Sequence, residues 1–485
     1  MEKLIQLTRF DGGILDSFDR NLPDGYLAYA ENVELKKTSA KQLLNTAEIA
    51  AANAYNIIKI IKVGEDIFGY GRDNVTDKDV TIYKIDTSSV VTSAEPATGY
   101  VQSGKADPFL LYNADGYLYF ENGNKIGRMT TAFGSVNGDW SNMTGGLSGG
   151  LNWQGSMYGW LNQDIWKVVV TDCVNMLAIP AGQTIKKLLD LGNYMGIVCS
   201  GSDGDSKMYL WDGVTTTTFV DIIKIGSGYV VGAEILDGTV YVIVNSYNYK
   251  KIRIKSYNGS SFQTVYEYNG RRNISSPTTY HITAGTKTTK QDGYIYILIS
   301  GTRPQGTDVL EYYIARYGRD DISKQNAFSI IKTLGATANT QWPAPFSSFV
   351  VQNDNSNTSI PFFATLFDST DNMDLFRTST STYSGQAGVV ETGWYDGGYA
   401  NKKIFKGFMC QFEALPAGAS VVLKYMKDAE TTWTTLFTEA TDNEVQRELI
   451  KDIPAKQIKF RIELLGGAEL TGFLAKYETQ ASKLL

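Results

Sequence analysis

The sequence predicts an all-β fold: a six- or seven-bladed β-propeller with an N-terminal arm and a C-terminal antiparallel β-sandwich. Three observations carry that prediction. Apolar and polar residues alternate in short runs, seen best over 207–268. Turn dipeptides interrupt these runs about every 8–12 residues, the spacing of hairpin-linked strands. One unit recurs, a strand ending in an aromatic, then Asp-Gly or Asn-Gly, small polar residues and another strand; MYLWDGVTTTTFV and IKSYNGSSFQTV are two copies of it. Each copy reads as half of a propeller blade.

Composition agrees with many hairpins. The 485 residues include 30 Tyr and 47 Gly but only 11 Pro, with charged residues at 20%. Such usage suits strands and turns better than helices or disorder. The net charge of −6 argues against a surface devoted to the nucleic-acid backbone. The three cysteines, Cys173, Cys199 and Cys410, are far apart and odd in number. They form no CxxC pair and read as buried, reduced thiols of a protein folded in a reducing cytoplasm. The opening MEKLIQLTRFDGG lacks the apolar stretch of a secretory signal, and no run of apolar residues is long enough to span a bilayer.

Taken in order, residues 1–50 form the arm. It carries two tight-turn signals, Asp11-Gly12-Gly13 and Pro23-Asp24-Gly25, and a segment of helical character at 26–32. It is expected to pack irregularly over the propeller's end or against a neighbouring subunit. The propeller occupies 51–384. Its blade-like units begin near Ile57, Phe109, Asn152, Thr184, Tyr229, Tyr280 and Phe346, and one blade is open to closure by a strand from elsewhere in the chain. The stretch 135–150, SVNGDWSNMTGGLSGG, is too glycine-rich to hold a strand ladder and reads as a long exposed loop. The repeat period is irregular. Gly213 and Gly259 occupy matching points 46 residues apart, and Gly318 lies 59 further on. A WD40 array keeps a tighter period, and the lone Trp211-Asp212 reads as an inner aromatic before a turn. From 385 to 485 strict alternation resumes, as in Ile458, Phe460 and Ile462 against Lys459, Arg461 and Glu463. About seven such strands make a small sandwich.

Chemical motifs are sparse, and no catalytic, cofactor-binding or metal-binding residue is assigned. His281 is the only histidine, sits in an alternating strand and reads as structural, which leaves little for a Ser-His-Asp triad or a zinc site. Paired carboxylates are what a glycosidase would need. The acids that stand out are Asp203, Asp205 and Asp212, with Asp320 and Asp321, and turn chemistry accounts for each. SVNGDW is a solitary approximation to the repeated Asp box of sialidase-like propellers. GSDGDS, 201–206, has calcium-type ligands but no terminal Glu. Neither a phosphate-binding loop nor a dinucleotide fingerprint is present, so no cofactor is expected. Lys250, Lys251, Arg253 and Lys255 share a strand, with Arg271 and Arg272 in the next turn, and read as a solvated face. Trp394, Tyr395 and Trp433 offer surfaces for sugar stacking or, by the plainer reading, core.

The two ends resemble a known family. FDGGI, then NLPDGYLAYAENVEL and a basic run, is similar to the leading segment of tailed-bacteriophage virion proteins. VVETGWYDGG, IFKGFMCQFE, VVLKYMKDAETTW and IKFRIEL resemble the sandwich that closes such proteins. This resemblance implies a non-catalytic structural component of a phage tail or neck, similar to the tail nozzle of short-tailed phages. It implies a hexameric ring of identical copies, contacts with the head-to-tail adaptor and other tail proteins, and DNA passing through without sequence-specific binding. Localisation would be the virion, after synthesis in the host cytoplasm. Two other classes remain open from the residues: a glycan-binding or glycan-cleaving propeller at the host surface, and a cytoplasmic scaffold propeller.

Overall fold

A computed structural model describes residues 2–48, 55–94, 108–269, 282–337, 348–383 and 387–479, except for 11, 15–21, 23–25, 65, 74–79, 86–90, 134–135, 144, 215–217, 248–250, 292, 306, 320–325, 352–361, 368–372 and 397–400. Seven blades of four antiparallel strands are present. Six are contiguous, spanning 55–94, 110–142, 148–178, 183–227, 229–268 and 282–337. The seventh takes three strands from 348–383 and its outer strand, Leu44–Glu48, from the N-terminal arm. The first strands of successive blades touch in sequence order, and the seventh touches the first, so the ring closes. Closure by a distant strand locks the two ends of the ring together through backbone hydrogen bonds.

Alternation explains the ring's interior. Among the described side chains, the blades are apolar on both faces, and the faces of neighbours meet. Phe68, Tyr70 and Ile82 of blade 1 pack on Leu118, Phe120 and Met129 of blade 2. Trp153 and Tyr158 of blade 3 pack on Tyr209 and Trp211 of blade 4. The repeated aromatic-turn unit falls where the sequence puts it. Trp211 and Tyr257 end the third strands of blades 4 and 5, and Gly213 (φ 81°) and Gly259 (φ 96°) turn the chain toward the outer strands.

Two sheets form the sandwich, one of seven strands and one of five. The arm supplies part of both. Glu2–Leu7 lies antiparallel to Glu469–Thr479, from Glu2 opposite Glu478 to Leu7 opposite Phe473. Val33–Leu35 and Ala40–Gln42 form a hairpin that extends the same sheet. Tyr29–Glu31 pairs with Gly388–Glu391 in the other sheet. The core between the sheets holds Phe405, Phe408, Leu423, Phe460, Ile462 and Phe473, and it runs on into the faces of blades 5 and 6.

Three expectations need correction. The segment 26–32 is strand, not helix: seven residues fall short of a stable helical nucleus, and pairing with Gly388–Glu391 decides the outcome. The glycine-rich stretch 135–150 is not a loop. Asn137–Asn142 is the outer strand of blade 2, and Ser148–Trp153 is the first strand of blade 3. Its glycines permit close packing rather than disorder. A Cβ on Gly149, whose φ is 72°, would stand 1.8 Å from the Trp160 ring. The arm, finally, is not irregular, because most of its described length pairs with strands of its own chain.

Blades 2 and 3 share a further seam. Their outer strands, Asn137–Asn142 and Thr171–Ala178, pair in parallel at Ser141–Thr171 and Asn142–Asp172, which merges the two blades into one eight-stranded sheet. The Ser141 hydroxyl donates to the Val169 carbonyl at 2.9 Å and fixes the junction.

Candidate functional site

The hub of the ring gathers the polar side chains of the first strands. Lys59 of blade 1, on Tyr55–Val63, donates from Nζ to the carbonyls of Pro108 at 2.9 Å and Gly149 at 3.1 Å, and so ties blade 1 to blades 2 and 3. Lys187 of blade 4 donates to Glu234 Oε1 of blade 5 at 3.1 Å. Thr288 of blade 6 donates its hydroxyl to the same oxygen at 2.9 Å. One carboxylate therefore bridges three blades.

Bulges place these groups. The ladder between first and second strands slips at Ile57/Lys59 in blade 1, Ile185/Lys187 in blade 4, Val230/Gly232 in blade 5 and Ala284/Thr288 in blade 6. A bulge bends a strand and re-aims the side chain that follows it. Lys59, Lys187 and Thr288 are each the first residue after the slip. In blade 5 that residue is Gly232, and a Cβ there would stand 2.6 Å from Thr288 Cγ2, so the glycine makes room for the neighbouring blade's threonine. Lys186, the bulged residue of blade 4, is largely desolvated, and burial draws its amine below the ordinary lysine range against a smaller upward pull from the Cys199 thiol.

A second junction joins arm, sandwich and blades 5 and 6. The Tyr266 hydroxyl donates to the Ile14 carbonyl at 2.8 Å, and Gly13 lies so close to blade 6 that a Cβ would meet the Phe328 carbonyl oxygen at 2.5 Å. Arg316, on the third strand of blade 6, reaches the Leu35 carbonyl of the arm at 3.3 Å.

The residues singled out in the sequence are not brought together. Asp203 Oδ1 accepts the Asp205 N–H at 3.0 Å, Asp212 Oδ1 accepts the Val214 N–H at 3.0 Å, and Asp205 pairs with Lys207 at 3.1 Å. These are turn and hairpin roles. In SVNGDW, Asp139 pairs with Lys125 and Trp140 packs edge-on against Tyr119. Lys251 and Arg253 both bind Glu267, and Lys255 donates to the Ile225 carbonyl of blade 4 at 2.6 Å, so the basic strand is tied into its own sheet and the next. Trp394 is buried. Lys459 lies with its amine 5.0 Å from the ring of Trp394 and 5.0 Å from that of Trp433. Tyr395 bridges to Ile458 through the backbone. All three cysteines are free and buried. Lys250, Arg271, Arg272, His281, Asp320 and Asp321 lie outside the described residues. Among the described residues no group of three or more His, Cys, Asp or Glu side chains is placed to hold a metal, and no helix is long and apolar enough to cross a membrane.

Sequence reasoning missed the hub. Lys59 and Glu234 were legible only as charges inside the apolar runs IIKIIKV and YVVGAEIL.

No family model and no curated protein matches the chain. Solved structures similar to it include the WD40 domain of Toxoplasma gondii coronin, 11% identical over 72% of this chain and 88% of that one, with a TM-score of 0.41. A chain of the mitotic checkpoint complex is 8% identical over 70% and 92%, with a TM-score of 0.44. The exo-β-1,3-galactanase of Phanerochaete chrysosporium is 10% identical over 86% and 95%, with a TM-score of 0.29. Identities this low say nothing about activity, and the propeller rests on the strand order and the closed ring.

Proposed function

We propose that this chain is a non-catalytic structural subunit of a phage tail or neck, assembled as a ring of six copies around a DNA channel and seated against the head-to-tail adaptor and other tail proteins. One observation carries the reading. The arm is stitched into three places at once: both sheets of the sandwich and the closing blade of the propeller. Pulling the sandwich from the ring shears the closing-strand ladder, Leu44–Glu48 against Met373–Tyr383, along with the arm's contacts on blade 6, which suits a part that bears load. The resemblance of FDGGI and NLPDGYLAYAENVEL to the leading segment of phage virion proteins falls on this same arm. The net charge of −6 supports a wall that lets phosphates pass, because each strong cationic contact would slow DNA.

Native mass measurement of the purified protein, with and without the adaptor, tests the assembly. A closed ring of six is expected. A chain that stays monomeric at every concentration and with every tail protein supplied, while cleaving a glycan, would overturn the proposal.

A further inference from the structure

We propose that each copy of this chain docks on a second copy through two unlike surfaces: an apolar seam on the rim of blades 3 and 4, and the free edge of the partner copy's sandwich at 446–452. The contact rests on the ring of copies proposed above.

Strand register defines the seam. Cys173 lies opposite Val168 and packs with Tyr119 and Ile126 of blade 2, so Val174, the next residue on the outer strand of blade 3, points toward blade 4. Ile222, on the outer strand of blade 4, lies opposite Tyr209, which packs on Trp153 and Tyr158, and so points back toward blade 3. Both side chains converge on one seam, yet Val174 is 47% and Ile222 49% exposed, with Val220 close by at 50%. Apolar side chains that converge and still face water are what a protein contact covers. Two lysines frame them: Lys167 opposite Val174, and Lys224 two residues beyond Ile222 on the same face. Asp172 and Asp221, at the mouth of the seam, turn a carboxylate oxygen to their own strands, accepting the N–H groups of Cys173 at 2.8 Å and Ile222 at 2.7 Å.

The matching surface is on the sandwich. Gln446–Leu449 is the last strand of the seven-stranded sheet. Glu448, Ile450 and Asp452 stand at alternate positions there and are all exposed, Ile450 by 80%. An apolar side chain between two acids complements, in sign, an apolar pair between two lysines. The bases of this stretch, Arg447 and Lys451, alternate with the acids, and Arg447 turns to Glu439. Asp221–Ser227 is likewise the last strand of its blade, so two strand edges meet and can share backbone hydrogen bonds. The seam belongs to blades 3 and 4, whereas the sandwich core runs into blades 5 and 6, so the contact joins unlike patches. Contacts of that kind propagate head to tail and close into a ring when the rotation allows.

Full-length Ile222→Cys and Ile450→Cys proteins are co-assembled, oxidised with diamide and separated on a non-reducing gel, and native mass measurement follows the assembly of further variants. A disulfide-linked dimer is expected from the mixture and none from either variant alone, since the three native cysteines are buried. Ile222→Asp should weaken assembly by about tenfold or more. Lys224→Glu and Glu448→Lys should each weaken it by about threefold, and the two on one chain should restore it. Every substituted residue is exposed, so the circular dichroism of each variant should match the wild type. Rings that survive Ile222→Asp, or a mixture that forms rings without the cross-link, would overturn this contact while leaving the ring standing. A wild-type chain that stays monomeric would overturn both.

Discussion

Leu7→Ala is the sharpest test of how the arm holds the sandwich. Leu7 ends the strand Glu2–Leu7, lies opposite Phe473 and is 1% exposed within the core between the sheets. Truncation removes about three carbon groups from that core, about 2.4 kcal/mol at ~0.8 kcal/mol each, and a residual cavity adds to it. A loss of about 3 kcal/mol is expected, which is about a hundredfold in the unfolding equilibrium. Leu4 sits in the same strand at 50% exposure, so Leu4→Ala should change stability by less than about 0.5 kcal/mol. Urea unfolding followed by circular dichroism gives both numbers, and hydrogen exchange across 469–479 shows where the loss is felt. If Leu4→Ala costs as much as Leu7→Ala, or if neither alters exchange in 469–479, then the strand is not seated in the core as the register requires, and the stitching argument fails.

Three further outcomes follow from the geometry. Glu234→Ala should destabilise the ring by about 1–3 kcal/mol in urea, because it takes the acceptor from the buried Thr288 hydroxyl, while Lys187→Met should cost less than about 1 kcal/mol since that lysine is over a third exposed. The Thr441 hydroxyl and N–H, with the Ala440 N–H and Arg447 adding to them, hold the Glu439 carboxyl below the usual range against the upward push of burial. Its stabilisation is therefore complete above the unfolded carboxylate range near pH ~4.3 and lost as pH falls through the lower folded value; the urea midpoint of Glu439→Gln should fall less steeply with acid than that of the wild type, and identical slopes would refute the assignment. Burial drives the Cys199 and Cys410 thiols far above their ordinary range, so neither should react with a thiol reagent at pH 8 in the native protein, and both should react once urea unfolds it.

Much of the fold is legible in the sequence because propeller blades are made of local hairpins. Asp212-Gly213 and Asn258-Gly259 mark the turns, and the alternation of Ile458, Phe460 and Ile462 gives the buried face of a sandwich strand directly. The identity of the closing strand is not written locally, since Leu44–Glu48 meets Met373–Tyr383 more than three hundred residues away. The hub is hidden for another reason. Strict alternation puts Ile185 and Lys187 on one face, yet the bulge between them turns Ile185 into the core against blade 3 and Lys187 toward Glu234 of blade 5. A single inserted residue reverses the parity on which sequence reading depends. Glycine misleads in the same way. In 135–150 it signals missing strand structure, whereas Gly149 is the space that Trp160 occupies.

The proposed tail or neck role is tested most directly by locating the protein in particles. Virus particles purified from cells that encode the chain, imaged by electron cryo-microscopy and analysed for protein content, should contain it in six copies per particle, with a propeller density at the tail or neck that fits the seven blades. Complete absence of the protein from purified particles, with the soluble protein recovered only from the cell extract, would contradict the account.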